Sequence, residues 1–258
     1  MNRIVHISLK VDDVKRTGDF YQEVFGFVDA ETRKTRDHVS RHMSDGVIDF
    51  TLMKYDAGTQ SAESTAAGDG PCIHHFAIEV EDIAKATAEI RSRGCQVVSD
   101  PGVIPVKFRA PGGTVAELVP VGRYKRVDTG GKAQRIVHLS LKVDEIDRTG
   151  EFYKQVFGFR DAVTRKTRDH TSRHMTDGEI DFTLMQYDAG TDSKESKAAG
   201  EGPCIHHFAI EVDDIAKSTE EIKSYGSEVV SDPGVVPVKF RAPGGTIAEL
   251  VPMGRYKR

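Results

Sequence analysis

Apolar residues never run for the ~20 positions that a membrane-spanning helix needs. The amino terminus, Met-Asn-Arg followed at once by a strand-like pattern, lacks the apolar stretch of a secretory signal. Cysteine is scarce. Cys72, Cys95 and Cys204 make an odd count, and Ser227 stands in place of Cys95 in a second copy of the sequence described below, which argues against a disulfide framework. Cys72 and Cys204 do correspond, and each reads as a small buried hydrophobe. Neither sign of charge is in excess: 36 Lys and Arg stand against 40 Asp and Glu, for a net charge of −4 with His neutral. That balance offers no broad electrostatic surface to nucleic acid or to an anionic membrane. With 38% hydrophobic and 29% charged residues the chain has the composition of a globular protein, and the cytoplasm is its expected compartment.

What the chain does have is itself, twice. The stretch from Arg3 to Arg126 recurs from Arg135 to Arg258 at a constant offset of 132, without gaps and with about four positions in five identical. All ten histidines obey the offset. A repeat of about 124 residues exceeds the roughly 20–50 residues of a solenoid unit and is long enough to bury a core of its own. The expectation is therefore two tandem domains, 1–126 and 135–258, joined by a short polar linker, 127–134, of modest flexibility.

Each half holds a fainter repeat. His6-Ile-Ser-Leu-Lys-Val-Asp-Asp13 reappears as His75-Phe-Ala-Ile-Glu-Val-Glu-Asp82. Both segments alternate with period two, so His6, Ser8 and Lys10 face one way and Ile7, Leu9 and Val11 the other. Each then runs into a helix, with an acid at Asp12 or Asp13 and at Glu81 or Asp82 to cap its start and Gly26 or Gly94 to end it. Val14, Phe20, Tyr21, Val24 and Phe25 give the first helix its apolar stripe. Strand-like runs follow: 27–32, 39–43 and 48–55 in the first module, then 96–99, 106–109 and 115–119 in the second. The predicted fold class is α+β, with four βαβββ modules in two tandem domains.

Three side chains of each half carry the chemistry. His6 and His75 occupy matching places on the first strands of paired modules, on the face opposite the helix-packing residues. Glu117 lies on the last strand and points away from the helix layer. If the paired modules curl their sheets around one concavity, all three point into it. Two imidazoles and a carboxylate suit a first-row divalent metal with positions left open for a substrate. His138, His207 and Glu249 repeat the set.

The His6 segment, the Gly70-Pro-Cys-Ile-His-His75-Phe-Ala-Ile-Glu-Val-Glu-Asp-Ile83 segment and Phe108-Arg-Ala-Pro-Gly-Gly-Thr-Val-Ala-Glu117-Leu resemble the vicinal oxygen chelate superfamily. That superfamily includes glyoxalase I, methylmalonyl-CoA epimerase, extradiol dioxygenases and the fosfomycin and bleomycin resistance proteins. The resemblance covers nearly all of both halves. It implies paired modules cupped around a divalent ion (Fe2+, Zn2+, Mn2+, Ni2+ or Co2+) held at His6, His75 and Glu117 and at His138, His207 and Glu249, chelating two vicinal oxygens of a small substrate.

Which reaction is implied depends on details. Glyoxalases and epimerases add a fourth protein ligand on the last strand of the first module, where this chain offers Thr51, or Asp49 if the register shifts by two, with Thr183 and Asp181 in the copy. A three-ligand site would resemble the iron site of extradiol dioxygenases. Their signature is broken here, because Lys107 stands at their Tyr position and no His lies between Gly94 and Lys107. Glu31 lies where an epimerase carries a second acid or base, but its copy is Val163. The leading expectation is a lyase or isomerase using Lewis-acid-assisted proton transfer, with Glu117 and Glu249 doubling as ligand and base. The alternatives are an Fe(II) dioxygenase with nonstandard acid and base residues, and a protein that sequesters a small molecule.

Lys107 and Lys239 are placed as catalytic groups acting on an anionic substrate, and Arg109 is expected to share their face toward the cup, the alternative being that these cations are solvated. His74 shares its alternation with Phe76 and Ile78 and reads as a structural His, while His38 and His42 sit in a polar segment from Arg36 to His42 that borders the site or is solvated. Modules are expected to pair within each half, with swapping between halves as the alternative and a homodimer as one assembly the reading admits.

Overall fold

The computed structural model describes residues 2–35 and 37–256. Arg36, which opens the His38 segment, and the last two residues of the second repeat lie outside the described residues. The first half runs β1 (Arg3–Lys10), α1 (Val14–Phe25), β2 (Val28–Lys34), β3 (His38–Ser44), β4 (Asp49–Tyr55), then a one-turn helix α2 (Ala62–Ala66), and β5 (Cys72–Val80), α3 (Ile83–Ser92), β6 (Gln96–Val97), β7 (Val106–Arg109), β8 (Val115–Pro120). The second repeats it as β9 (Ile136–Lys142), α4 (Ile146–Phe157), β10 (Arg160–Lys166), β11 (His170–Thr176), β12 (Asp181–Tyr187), α5 (Lys194–Ala198), β13 (Cys204–Val212), α6 (Ile215–Ser224), β14 (Glu228–Val229), β15 (Val238–Arg241), β16 (Ile247–Pro252). The α+β class and the four βαβββ modules are as the sequence predicts; α2 and α5, in the connectors between modules, are additions. No helix among the described residues is long and apolar enough to cross a membrane.

Local chemistry sets the helix ends. The Asp13 carboxylate accepts from the N–H of Arg16 at 2.9 Å, and Gly26 ends α1 in the left-handed region at φ 69°. In α4 the residue at the matching start is Glu145, one methylene longer, and it makes no capping bond.

Modules pair within each half. β1 lies antiparallel to β5 and parallel to β4, and β5 lies parallel to β8, so one half reads β2-β3-β4-β1-β5-β8-β7-β6 across its sheet. The halves meet where β5 touches β13 at Ile73 and Ile205.

Their cores are not separate. One apolar cluster contains buried residues of both halves, and the helix of each first module packs on the other half. Tyr21 lies 6.1 Å from Phe208 and Phe20 lies 6.3 Å from Phe240 between ring centres. The copy returns the contact, with Tyr153 6.2 Å from Phe76 and Phe152 6.3 Å from Phe108. Each such ring contributes about 2–3 kcal/mol by leaving water, so an isolated half would expose several of its largest apolar side chains. The linker is likewise docked on the first half, with Val127 N–H donating to the Gly46 carbonyl at 3.2 Å and Gln134 N–H to the Phe25 carbonyl at 2.9 Å.

Two buried aspartates clasp the halves reciprocally. Asp45 accepts from Val47 N–H, Ile48 N–H and, across the interface, Ile136 N–H at 2.7 Å. Asp177 accepts from the N–H of Ile4 at 2.6 Å. Burial raises the pKa of Asp45, and the three N–H donors that its carboxylate satisfies work against that rise. Asp45→Ala should cost on the order of 3 kcal/mol by stranding them, seen as a lower denaturant midpoint; an unchanged midpoint would show that water replaces the clasp.

Candidate metal centre

Strand register gathers the site into two transverse rows. In the first row Asp49 on β4 is level with His6 on β1, Ala77 on β5, Glu117 on β8 and Lys107 on β7. In the second, Glu31 on β2 is level with His42 on β3, Thr51 on β4, Ser8 on β1 and His75 on β5. Neighbouring strands lie about 4.8 Å apart, so His6 and Glu117 flank Ala77 at about 10 Å between backbones and lean over that small residue toward each other. The copy builds the same rows around Ala209, with His138, Glu249 and His207.

The donors converge. His6 Nε2 is 3.3 Å from His75 Nε2, which is 3.4 Å from Glu117 Oε2. The second half repeats this with His138 and His207 at 3.2 Å and His207 to Glu249 at 3.4 Å. In each half the three donor atoms lie within 4.8 Å of one another, and all six residues are buried.

The outer nitrogens determine what the inner ones can be. His6 Nδ1 faces the Asp49 carboxylate at 2.6 Å, so Nδ1 carries a proton and the neutral ring presents its lone pair at Nε2. His74 Nε2 lies 3.1 Å from the Glu63 carbonyl, which can only accept, so His74 is protonated there and its Nδ1 is an acceptor. His75 Nδ1, 2.7 Å from His74 Nδ1, must then donate, which leaves its Nε2 bare as well. Burial, with Lys107 adding to it, lowers the His74 pKa to about 3 and that of His75 well below its ordinary value, so both are neutral. Two lone pairs and a carboxylate oxygen on buried side chains facing one another fit a bound cation, and hydrogen bonds on the outer nitrogens are the usual way such imidazoles are held.

Asp49 is thereby accounted for. It accepts from His6 at 2.6 Å, from His42 Nδ1 at 3.1 Å and from the Thr51 hydroxyl at 2.7 Å. Burial works against its charge, but the His42 and His6 bonds outweigh that and depress its pKa. It therefore lies behind His6, on the side of the ring away from the donor cluster. Thr51 is spent on Asp49 and on His42 at 2.7 Å. Neither belongs to the group of donors that could hold the ion.

Lys107 is also in the site, but not as an unpaired cation. Its Nζ lies 3.2 Å from Glu117 Oε2 and 3.2 Å from Glu63 Oε2, and Lys239 is placed in the same way at 3.3 Å from Glu249 and from Glu195. Burial disfavours the ammonium, yet Glu117 and Glu63 together raise its pKa. Arg109 does not line the cavity and donates to the Gly113 carbonyl at 2.7 Å.

His74 is a buried, hydrogen-bonded structural His as the sequence reading has it, but on a different face. The β1–β5 register passes from Ser8 opposite His75 to Leu9 opposite Ile73, so His74 is the extra residue of a bulge. A bulge breaks the alternation and brings His74 beside His75 instead of among the core residues. Tyr124 is a group the sequence reading missed. It stacks on His6 at 4.4 Å between ring centres and donates to Glu117 Oε1 at 3.2 Å, from a turn beyond β8 that carries no motif. His38 pairs with Asp37 at 2.8 Å at the cavity wall. Glu31 is exposed at the mouth and ion-paired with Arg33. The cavity over the first donor set measures about 720 Å³ and that over the second about 580 Å³.

Similarity to known proteins agrees with this architecture. The family model for the Glyoxalase/Bleomycin resistance protein/Dioxygenase superfamily matches residues 3–114 and again 135–243. A probable chloroplastic lactoylglutathione lyase of Arabidopsis thaliana is 29% identical over 255 residues, covering 91% of this chain and 67% of that protein. A probable lactoylglutathione lyase of Vibrio cholerae is 32% identical over 135 residues, which is 45% of this chain but 89% of that protein, so its length corresponds to one half. Among solved structures, a mutant 4-hydroxymandelate synthase from Streptomyces coelicolor matches with a TM-score of 0.72 at 18% identity, covering 97% of this chain and 92% of that one. The Mn(II)-bound glyoxalase from Novosphingobium aromaticivorans matches at 0.66 and 16%, covering 98% and 83%. A divalent-metal-dependent enzyme by its donor sets and its kinship, the chain belongs through both halves to the Glyoxalase/Bleomycin resistance protein/Dioxygenase superfamily.

Proposed function

We propose that each half, 1–126 and 135–258 about the 127–134 linker, is one catalytic unit of glyoxalase type, with His6, His75 and Glu117 or His138, His207 and Glu249 as its metal ligands. The observation that carries this reading is the pair of bare Nε2 lone pairs facing a carboxylate beneath an open cavity. When bound, the divalent ion supplies Lewis acidity toward two vicinal oxygens of the substrate.

The chain's own groups then divide the work. Glu117 holds the ion and takes the proton from the carbon beside the polarised carbonyl, returning it to the neighbouring carbon, so that the reaction is an isomerisation with atoms and electrons conserved. Lys107, kept charged by its two carboxylates, faces the negative charge that develops on the substrate oxygens. Tyr124 holds Glu117 by its second oxygen. Arg123 and Arg255, which line the two cavities, favour an anionic substrate, and the lactoylglutathione named in the relatives makes the adduct of glutathione with a 2-oxoaldehyde the first compound to try. Three free cysteines support a reducing compartment, for which we keep the cytoplasm.

One observation favours a second reading. With Asp49 and Thr51 turned to other partners, three protein donors remain among the described residues, the pattern that suits oxygenases using non-haem Fe(II). Metal-loaded protein assayed first under argon and then in air separates the two: thioester formation from the adduct under argon supports the glyoxalase reading, whereas oxygen uptake on catechols in air with no thioester formed supports the oxygenase.

Lys107→Met with Lys239→Met should lower kcat by about 10–100-fold, an oxyanion-facing group being worth at least that, while bound metal stays constant. Unchanged kinetics would reduce both lysines to neutralising Glu63 and Glu195.

A further inference from the structure

We propose that the two sites prefer substrates of different charge, and that one position sets the difference: Glu31 in the first half, Val163 in the second. The inference rests on the reading that both sites take small chelating substrates, and it assigns them different tails.

The position is at the outer end of the sheet row that reaches a proposed ligand. Glu31 lies opposite His42 in a row continuing through Thr51 and Ser8 to His75. Val163 lies opposite His174 in the row leading through Thr183 and Ser140 to His207. Both line their cavities, as do the arginines two residues on, Arg33 and Arg165. The other residues lining the second cavity are matched by the same residue types around the first, including His38 and His170, His42 and His174, Lys107 and Lys239, and Arg123 and Arg255. Glu31 against Val163 is the one change among them.

The consequence is electrostatic. In the first half the Glu31 carboxylate pairs with the Arg33 guanidinium at the mouth and cancels its charge. In the second, Arg165 has no carboxylate partner among the described residues, and beside it Val163 is 41% exposed as an apolar surface. A substrate whose chelating end reaches the metal and whose tail reaches the mouth would meet a neutral pair in the first site. In the second it would meet a lone cation with an apolar neighbour. The second site therefore suits a short apolar tail ending in a carboxylate, and the first a neutral or zwitterionic tail.

Two hydroxamates with the same chelating head test this: acetohydroxamic acid, with no charged tail, and the monohydroxamate of succinic acid, with a carboxylate tail. Calorimetric titration of the metal-loaded protein gives the affinity ratio of the two at each site, with His207→Ala isolating the first site and His75→Ala the second. The ratio in favour of the carboxylate should be about three- to tenfold larger at the second site, as befits one partly exposed charge, and should shrink with added salt. Val163→Glu should bring the second site's ratio down to that of the first, and Glu31→Val should raise the first. Both positions are on exposed edge strands, so these two variants in the intact chain serve even if the His variants do not fold: Glu31→Val should merge a two-phase succinyl titration into one. Equal ratios at the two sites, or ratios that ignore both substitutions, would overturn the inference alone. Failure of either hydroxamate to bind would overturn the chelation reading and this inference with it.

Discussion

His75→Ala should leave about one divalent ion per chain where the native protein holds about two, and His75→Ala with His207→Ala should leave none. Each site has three protein donors in reach, and His75 is central, 3.3 Å from His6 Nε2 and 3.4 Å from Glu117 Oε2. Its loss leaves one imidazole and one carboxylate that also serves Lys107 and Tyr124, too few donors for tight binding. The single variant should keep roughly half of the turnover if the sites work independently. The double variant should lose about 10³-fold or more, since several kcal/mol of barrier lowering goes with the ion. Metal analysis after dialysis against a weak chelator checks the first statement and a turnover assay the second. Metal content unchanged in the double variant would remove these residues from the centre. The half carrying Asp49→Ala offers a graded control: the ligands remain but His6 loses the acceptor that sets its tautomer, for which about 10–100-fold weaker binding is expected.

Residues 1–130 expressed alone should associate as a dimer that reproduces the intact chain, with one metal site in each copy. Every donor of the first site comes from the first half, so the fragment has a whole centre. It does not have a whole core. Tyr21 and Phe20 normally pack on Phe208 and Phe240, and Phe76 and Phe108 on Tyr153 and Phe152. Because Phe76 and Phe108 correspond to Phe208 and Phe240 in the repeat, two fragments can supply each other with the missing faces, and Asp45 can clasp Ile4 of a second copy as Asp177 does in the chain. The relative of half this length is consistent with such a unit. Sedimentation equilibrium with metal analysis checks the expectation. A stable monomer with a full complement of metal would mean that the contacts between halves contribute little; a soluble dimer without metal would mean that the site depends on the covalent link.

Sequence alone determined the elements and brought forward the three donors of each half that the fold gathers within 4.8 Å. Period-two alternation marks β1 and β5 because an antiparallel strand with one face on a helix layer is written that way, and Asp13 and Gly26 mark the ends of α1 because a short side chain bearing an acceptor oxygen suits the first position and glycine the last. His6, His75 and Glu117 stand out because a centre built from three strands would leave each proposed ligand at a fixed place in a strand, and the repeat prints the set twice. Tertiary structure decided the rest. The bulge at His74 inverts one side chain without any mark in the residue types, since an extra residue in a strand is visible only against its partner. The role of Asp49 depends on β4 lying level with His6, a register that joins residues far apart in the chain and that the local pattern does not encode. Tyr124 enters from a turn. The sharing of one core by both halves follows from which apolar faces meet, and two nearly identical halves present the same faces to themselves as to each other. Only the packed chain selects between those partners.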